Sequence, residues 1–166
     1  VVSETLLDTS ALVPDRALGP NVLLHVGGKP FLVGGFMSGP PTPPNTAELY
    51  AVPLSDDLHG FSAAPVRLVV PGASYVQRVT RGRYVNGTLI INYVAKQAQS
   101  AQVQATSEFL ALFDVAAGFA LLSQTQVQDK EVVDNHSSFE VFGDRLVLFQ
   151  QQANEKVSIK VFRLRQ

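Results

Sequence analysis

The chain has 166 residues, 13 basic against 14 acidic side chains, and neither cysteine nor tryptophan. Without cysteine there is no disulfide framework, no thiolate chemistry and no zinc ribbon. The near-zero net charge lacks the basic stripe of a nucleic-acid binder, and the composition is that of a soluble globular protein, not of a disordered tail or a membrane span.

Residues 1–7 are an apolar-rich segment, and 9–20, with Pro14, Gly19 and Pro20, read as an irregular connector. From Asn21 a unit begins that the rest of the chain repeats. A strand runs to the turn Val26-Gly27-Gly28-Lys29, and the apolar run Phe31-Leu32-Val33 follows. A loop with four prolines, Pro40-Pro41-Thr42-Pro43-Pro44, then breaks both ladders, because proline lacks the backbone donor. Strands are expected over 49–54 and 66–70, separated by a loop that holds Asp56, Asp57 and His59.

The plan recurs twice, at a nearly constant interval. Val85-Asn86-Gly87-Thr88 leads into Leu89-Ile90-Ile91, and Phe142-Gly143-Asp144-Arg145 leads into Leu146-Val147-Leu148-Phe149. Gly-Gly and Asn-Gly supply the positive φ angles of two-residue hairpin turns, and Gly-Asp is a related choice. The apolar runs after the turns suit strands covered on both faces. Later strands are expected over 109–115, 119–127 and 157–164. The Ala/Gln-biased stretch 95–106 fits a short helix or a loop equally well. A stable period with loops of varying length is the behaviour of one supersecondary unit used three times. The third copy lacks a fourth strand, and residues 1–7 are the economical supplier of it.

Candidate chemistry is sparse. The three histidines, His25, His59 and His136, fall one per segment without metal spacing, and Asp129, Glu131 and Asp134 lack the pattern of a calcium loop. Neither a nucleophile elbow nor a phosphate-cradling glycine loop is present. No catalytic residue, metal or cofactor is therefore assigned. The richest stretch is 75–84, where Arg78, Arg81 and Arg83 lie between Tyr75 and Tyr84. Guanidinium groups clamp phosphate or carboxylate and stack on flat ligands. In a strand Arg81 and Arg83 share one face, and Tyr84 takes the other. Two sequons, at Asn86 and Asn135, and a start at Val1 with Met37 as the only methionine lean toward a processed, secreted glycoprotein; an intracellular piece of a longer protein is the alternative.

The first unit, Val26-Gly27-Gly28-Lys29-Pro30-Phe31-Leu32-Val33-Gly34-Gly35-Phe36 followed by Glu48-Leu49-Tyr50-Ala51-Val52, resembles a kelch-type β-propeller blade. The turn Asp114-Val115-Ala116-Ala117-Gly118-Phe119 similarly resembles the third-to-fourth strand turn of propeller blades. The resemblance implies an all-β fold of four-stranded blades, with the N-terminal strand completing the last. The expectation is a single repeat domain over 1–166, with repeats at about 21–70, 74–127 and 137–166 plus 1–7. Propellers close with four to eight blades, so the chain is half of a six-bladed dimer or part of a larger ring. A β-trefoil, also of three four-stranded repeats, is the alternative.

The function that follows is a non-enzymatic module presenting its Pro-rich, Ala/Gln-rich and acidic loops from a rigid scaffold to a protein or carbohydrate partner, with Arg78, Arg81, Arg83, Tyr75 and Tyr84 as the contact patch. The alternative is a secreted carbohydrate-active hydrolase using carboxylates such as Asp56, Asp57, Asp129 or Glu131. No nucleic acid and no membrane span enter either reading.

Overall fold

The first eight strands form two successive four-stranded meanders. A computed structural model describes residues 16–38, 47–71, 75–98, 104–129, 137–151 and 157–164. The first meander is β1 (Arg16–Val26), β2 (Lys29–Ser38), β3 (Ala47–Pro53) and β4 (Val66–Leu68). The second is β5 (Tyr75–Val85), β6 (Thr88–Ala98), β7 (Gln104–Asp114) and β8 (Ala120–Asp129). A three-stranded sheet of β9 (Ser137–Phe142), β10 (Arg145–Gln151) and β11 (Val157–Arg163) follows. Within each meander and within the last sheet, neighbours in sequence pair antiparallel; the described elements are all strands, and among the described residues no helix is long and apolar enough to cross a membrane.

The chain divides into two compact units, Val1–Lys130 and Glu131–Gln166. In the first, the meanders are stitched at one parallel bridge, Ala47 to Tyr75, and pack face to face. Val26, Phe31, Val33, Leu49, Ala51 and Leu68 of the first meet Val76, Val79, Leu89, Ile91, Tyr93 and Phe113 of the second. Two glycines permit the approach. A Cβ at Gly35 would lie 2.8 Å from the Val76 carbonyl oxygen, and one at Gly82 would strike the end of Leu24. Phe31 also reaches the ring of Phe119 in the β7–β8 turn, at 5.9 Å between centroids.

The hairpin turns follow from their residues. Gly27 and Gly28 have φ of 58° and 82°, and Asn86 and Gly87 have 49° and 81°, the left-handed pair that a two-residue turn of matching twist requires. Beyond Asn86-Gly87, Leu89, Ile90, Ile91, Asn92 and Tyr93 are all buried, so β6 is covered on both faces. Burial of such a run is the main stabilising term, about 1.5–3 kcal/mol for each large apolar side chain.

Two expectations need correction. Residues 95–106 are neither helix nor loop at their ends, because Ala95, Lys96, Gln97 and Ala98 pair with Ser107, Thr106, Ala105 and Gln104. Alanine and glutamine carry no strand preference of their own, and the neighbouring ladder imposes one. The connector likewise ends early. β1 starts at Arg16 and absorbs Gly19-Pro20 at a register shift between Leu18 and Asn21, where a missing proline donor is tolerated. Residues 1–7, the proline-rich loop 39–46, Glu131, Asp134, Asn135 and His136 lie outside the described residues.

The second unit is one antiparallel sheet in the order β11-β10-β9. Its hairpin turns at Gly143, φ 59°, and Phe139, Leu146 and Leu148 are buried. Asp144 ties the turn to the end of β11. Its backbone oxygen accepts from Leu164 N at 2.7 Å, and its carboxylate accepts from Arg163 Nε at 2.9 Å. That hydrogen bond holds the Asp144 carboxyl below the usual carboxylate range.

Candidate functional site: an arginine face on β5

Strand β5 is irregular where the arginines lie. Its register on β6 shifts between Val76 and Arg78 and again between Val79 and Arg81, so Gln77 and Thr80 are extra residues on the β5 side. Arg78 is then opposite Val94, Arg81 opposite Asn92, and Arg83 opposite Ile90. Residues paired across a ladder share a face, and Val94, Asn92 and Ile90 alternate along β6. All three arginines therefore share one face of the second meander. Unbulged alternation from Arg78 would have put Arg81 on the other. Their spacing corresponds to two residues of strand, about 7 Å.

Thr80 anchors the second bulge. Its hydroxyl donates to the Asn92 carbonyl oxygen at 3.1 Å and also meets the Asn92 side-chain oxygen, which gives that buried amide a local partner. Arg78 and Arg83 are exposed, whereas Arg81 is half-buried beside Asn92. The row thus combines two solvent-facing cations with one partly desolvated cation, and attraction to an anion strengthens as water is excluded.

Of the two tyrosines, Tyr84 does not join them, whereas Tyr75 pairs with Lys96, in the same alternation along β6 as Val94, Asn92 and Ile90. Tyr84 is opposite Leu89 and packs against the hydrophobic core, on the other face of the sheet. Tyr75 forms the bridge to Ala47 at the start of the strand. Asn86 is exposed at the tip of the β5–β6 turn. Asp129 ends β8 opposite Ser107.

The acidic loop after β3 is engaged with itself. Asp57 Oδ1 accepts from Ser55 Oγ at 2.5 Å and from His59 N at 3.0 Å, and His59 Nδ1 lies 3.6 Å from Asp57 Oδ2. Gly60 N in turn donates to Ser55 Oγ at 3.0 Å. The Ser55 hydrogen bond, helped by the His59 amide, holds the Asp57 carboxyl below its ordinary value. Ser55, Asp57 and His59 have the residue types of a nucleophilic triad in the wrong order of contact. The serine hydroxyl points at the carboxylate, so no base is placed to activate it.

One polar cluster escaped the sequence reading. Glu48 Oε1 is 2.7 Å from Arg67 Nη2, and Glu48 Oε2 accepts from the Tyr50 hydroxyl at 2.8 Å. The signal was available only as Glu48 and Tyr50 two apart on one strand. Arg67 arrives through the β3–β4 pairing, which places it opposite Tyr50. Among the described residues no group of three or more histidines and carboxylates is arranged to hold a metal ion.

No protein-family model matches the chain, and no curated protein matches it in sequence. Among solved structures it is similar to the crystal structure of endo-arabinase from Bacteroides thetaiotaomicron VPI-5482, with a TM-score of 0.45 and 15% sequence identity. The match covers 88% of this chain and 55% of that one, so the chain spans about half the length of the structure it resembles. A likeness this loose carries no functional argument. The kelch likeness of the first unit rests on its residues alone.

Proposed function

We propose that the chain is a non-enzymatic binding module, built from propeller-type blades, that engages an anionic group on a protein or carbohydrate partner through the arginine face of β5. The observation that carries this reading is the register of β5 on β6, which aligns Arg78, Arg81 and Arg83 at about 7 Å intervals. Guanidinium forks take carboxylates and phosphates in bidentate fashion, and a row of them favours a ligand with several anions. The blade reading draws support from two consecutive four-stranded meanders packed face to face, joined from the third strand of one to the first strand of the next. An exposed sequon at Asn86 fits an extracellular setting. The hydrolase alternative gains nothing from Asp57, whose carboxylate closes its own loop.

The test is binding of labelled poly-glutamate and oligogalacturonate, followed by fluorescence anisotropy at two salt concentrations. The triple variant R78Q/R81Q/R83Q is expected to lose tenfold or more in affinity, with an unchanged circular dichroism spectrum. Equal affinity in the variant, or no binding of either anion by the wild type, removes the site. Cleavage of the oligogalacturonate by the wild type replaces the module with an enzyme.

A further inference from the structure

Between Arg78 and Arg83 the cationic row on β5 is evenly stepped and one strand wide. Arg78 and Arg81 are three residues apart in the chain, yet the bulge between them sets them against Val94 and Asn92, two apart on β6. Arg81 and Arg83 meet Asn92 and Ile90, again two apart, so each step is about 7 Å. Alongside the row, β6 contributes these neutral positions and β7 contributes Leu112, Leu110 and Glu108. Glu108 shares the face two strands over from Arg78, where its charge opposes any sideways spread of anions onto β7. The middle guanidinium, that of Arg81, is half-buried, whereas the outer two are exposed. Its pairing with an anion therefore gains most from excluded water.

We infer, on the reading that the arginine face is the binding site, that its ligand is an extended peptide segment with acidic side chains at alternate positions, Glu-x-Glu-x-Glu or its aspartate equivalent. An extended chain repeats its same-face side chains every two residues, about 7 Å, which is the step of the row itself. Three carboxylates then meet three guanidinium groups without drifting out of step. An uninterrupted run of three acids turns its middle carboxylate away and fills only two positions. On a helix, acids four residues apart advance about 6 Å and turn about 40° around the axis at each step, so the third leaves the face. A polyuronate in a two-fold conformation presents same-side carboxylates once per disaccharide, a longer step than two residues of strand. Each guanidinium has five N–H donors, enough for a bidentate carboxylate beside a contact within the chain.

The test is competition against labelled poly-glutamate by end-blocked peptides of a single composition, Ser-Glu-Ser-Glu-Ser-Glu-Ser, Ser-Ser-Glu-Glu-Glu-Ser-Ser and Glu-Ser-Ser-Glu-Ser-Ser-Glu, with trigalacturonate as the carbohydrate arm. Every competitor carries three carboxylates, so charge alone would make them equal. The alternating peptide is expected to compete about fivefold better than either isomer and than trigalacturonate. Replacing its middle glutamate by glutamine is expected to cost more than replacing either outer one. Arg81→Gln, with an unchanged circular dichroism spectrum, is expected to narrow the preference more than Arg78→Gln or Arg83→Gln. Equal competition by the isomers overturns the inference while leaving the arginine face as an unselective anion site. Stronger competition by trigalacturonate overturns it in favour of a carbohydrate ligand. Poly-glutamate binding that is absent, or unchanged in R78Q/R81Q/R83Q, removes the face itself and the peptide with it.

Discussion

β7 is the third strand of the second meander and β11 the third, in chain order, of the last sheet, and they meet opposite fates. Phe109, Leu110, Ala111 and Phe113 of β7 are buried between β6, β8 and the facing meander, whereas Val157, Ile159 and Val161 of β11 are mostly exposed. Both strands are apolar and β-branched or aromatic, and both pair in full register with the strand before them. The difference lies in what lies beyond the strand. β7 has a fourth strand at its outer edge and the first meander over one face, and among the described residues the sheet order of the second unit ends at β11. Composition makes a strand; neighbours decide whether its side chains stabilise the fold or form a surface.

The largest expected effect breaks this comparison outright. Phe113→Ala removes a fully buried ring and should destabilise the first unit by about 3–5 kcal/mol, while Ile159→Ala should change stability by about 0.5 kcal/mol or less. Chemical denaturation followed by fluorescence and circular dichroism checks both. Comparable losses would mean that β11 is covered in solution. The same experiment reports on the two compact units, since a single repeat domain unfolds in one transition and independent units unfold in two.

A smaller effect, of opposite sign, sharpens the account of the buried face. Tyr93 is fully buried and stacks on Phe109 at 5.4 Å, and its hydroxyl has no hydrogen-bond partner among the described residues. Removing a buried unsatisfied polar group relieves its desolvation cost, so Tyr93→Phe should stabilise the protein by about 1 kcal/mol. Burial also raises the Tyr93 pKa. The folded-state value is above the unfolded one, so the associated stability is present below the ordinary tyrosine range near 10 and is lost as pH rises through the folded value. Alkaline unfolding of the wild type should therefore be less pronounced in Tyr93→Phe.

The smallest expected effect lies in the second unit. Asp144 is solvent-exposed and held below the usual range by Arg163. Its folded value is depressed, so its contribution is present above the unfolded carboxylate pKa near 4 and fades as pH falls through the folded value. Asp144→Asn should lower Tm slightly at neutral pH, and the difference from wild type should vanish in acid. A difference that persisted at low pH would assign the effect to turn geometry instead of charge.

The two-residue turns were legible because only glycine and asparagine readily accept their φ angles, and the runs after them because β6 needs apolar residues on both faces. The bulges of β5 were not legible. Nothing local in Gln77 or Thr80 announces an extra residue; the bulge at Thr80 exists because the strand must match β6, and the Asn92 side chain then holds it. For that reason the sequence reading grouped Arg81 with Arg83 and could not place Arg78. It set Tyr84 on the other face but could not tell that it packs against the core. Residues 95–98 and 104–106 were ambiguous for the same cause, since alanine and glutamine take the conformation that their partners impose.

The amino-acid sequence by itself determined the all-β class and the places where the chain turns back, because these depend on backbone preferences and on apolar runs a few residues long. The grouping of the arginines, the commitment of Asp57 to its own loop and the exposure of β11 were decided by tertiary structure. Each depends on a partner distant along the chain or on contacts formed only after folding: Asn92 for the register of β5, Gly60 for the loop around Asp57, and, among the described residues, the place of β11 at the end of its sheet.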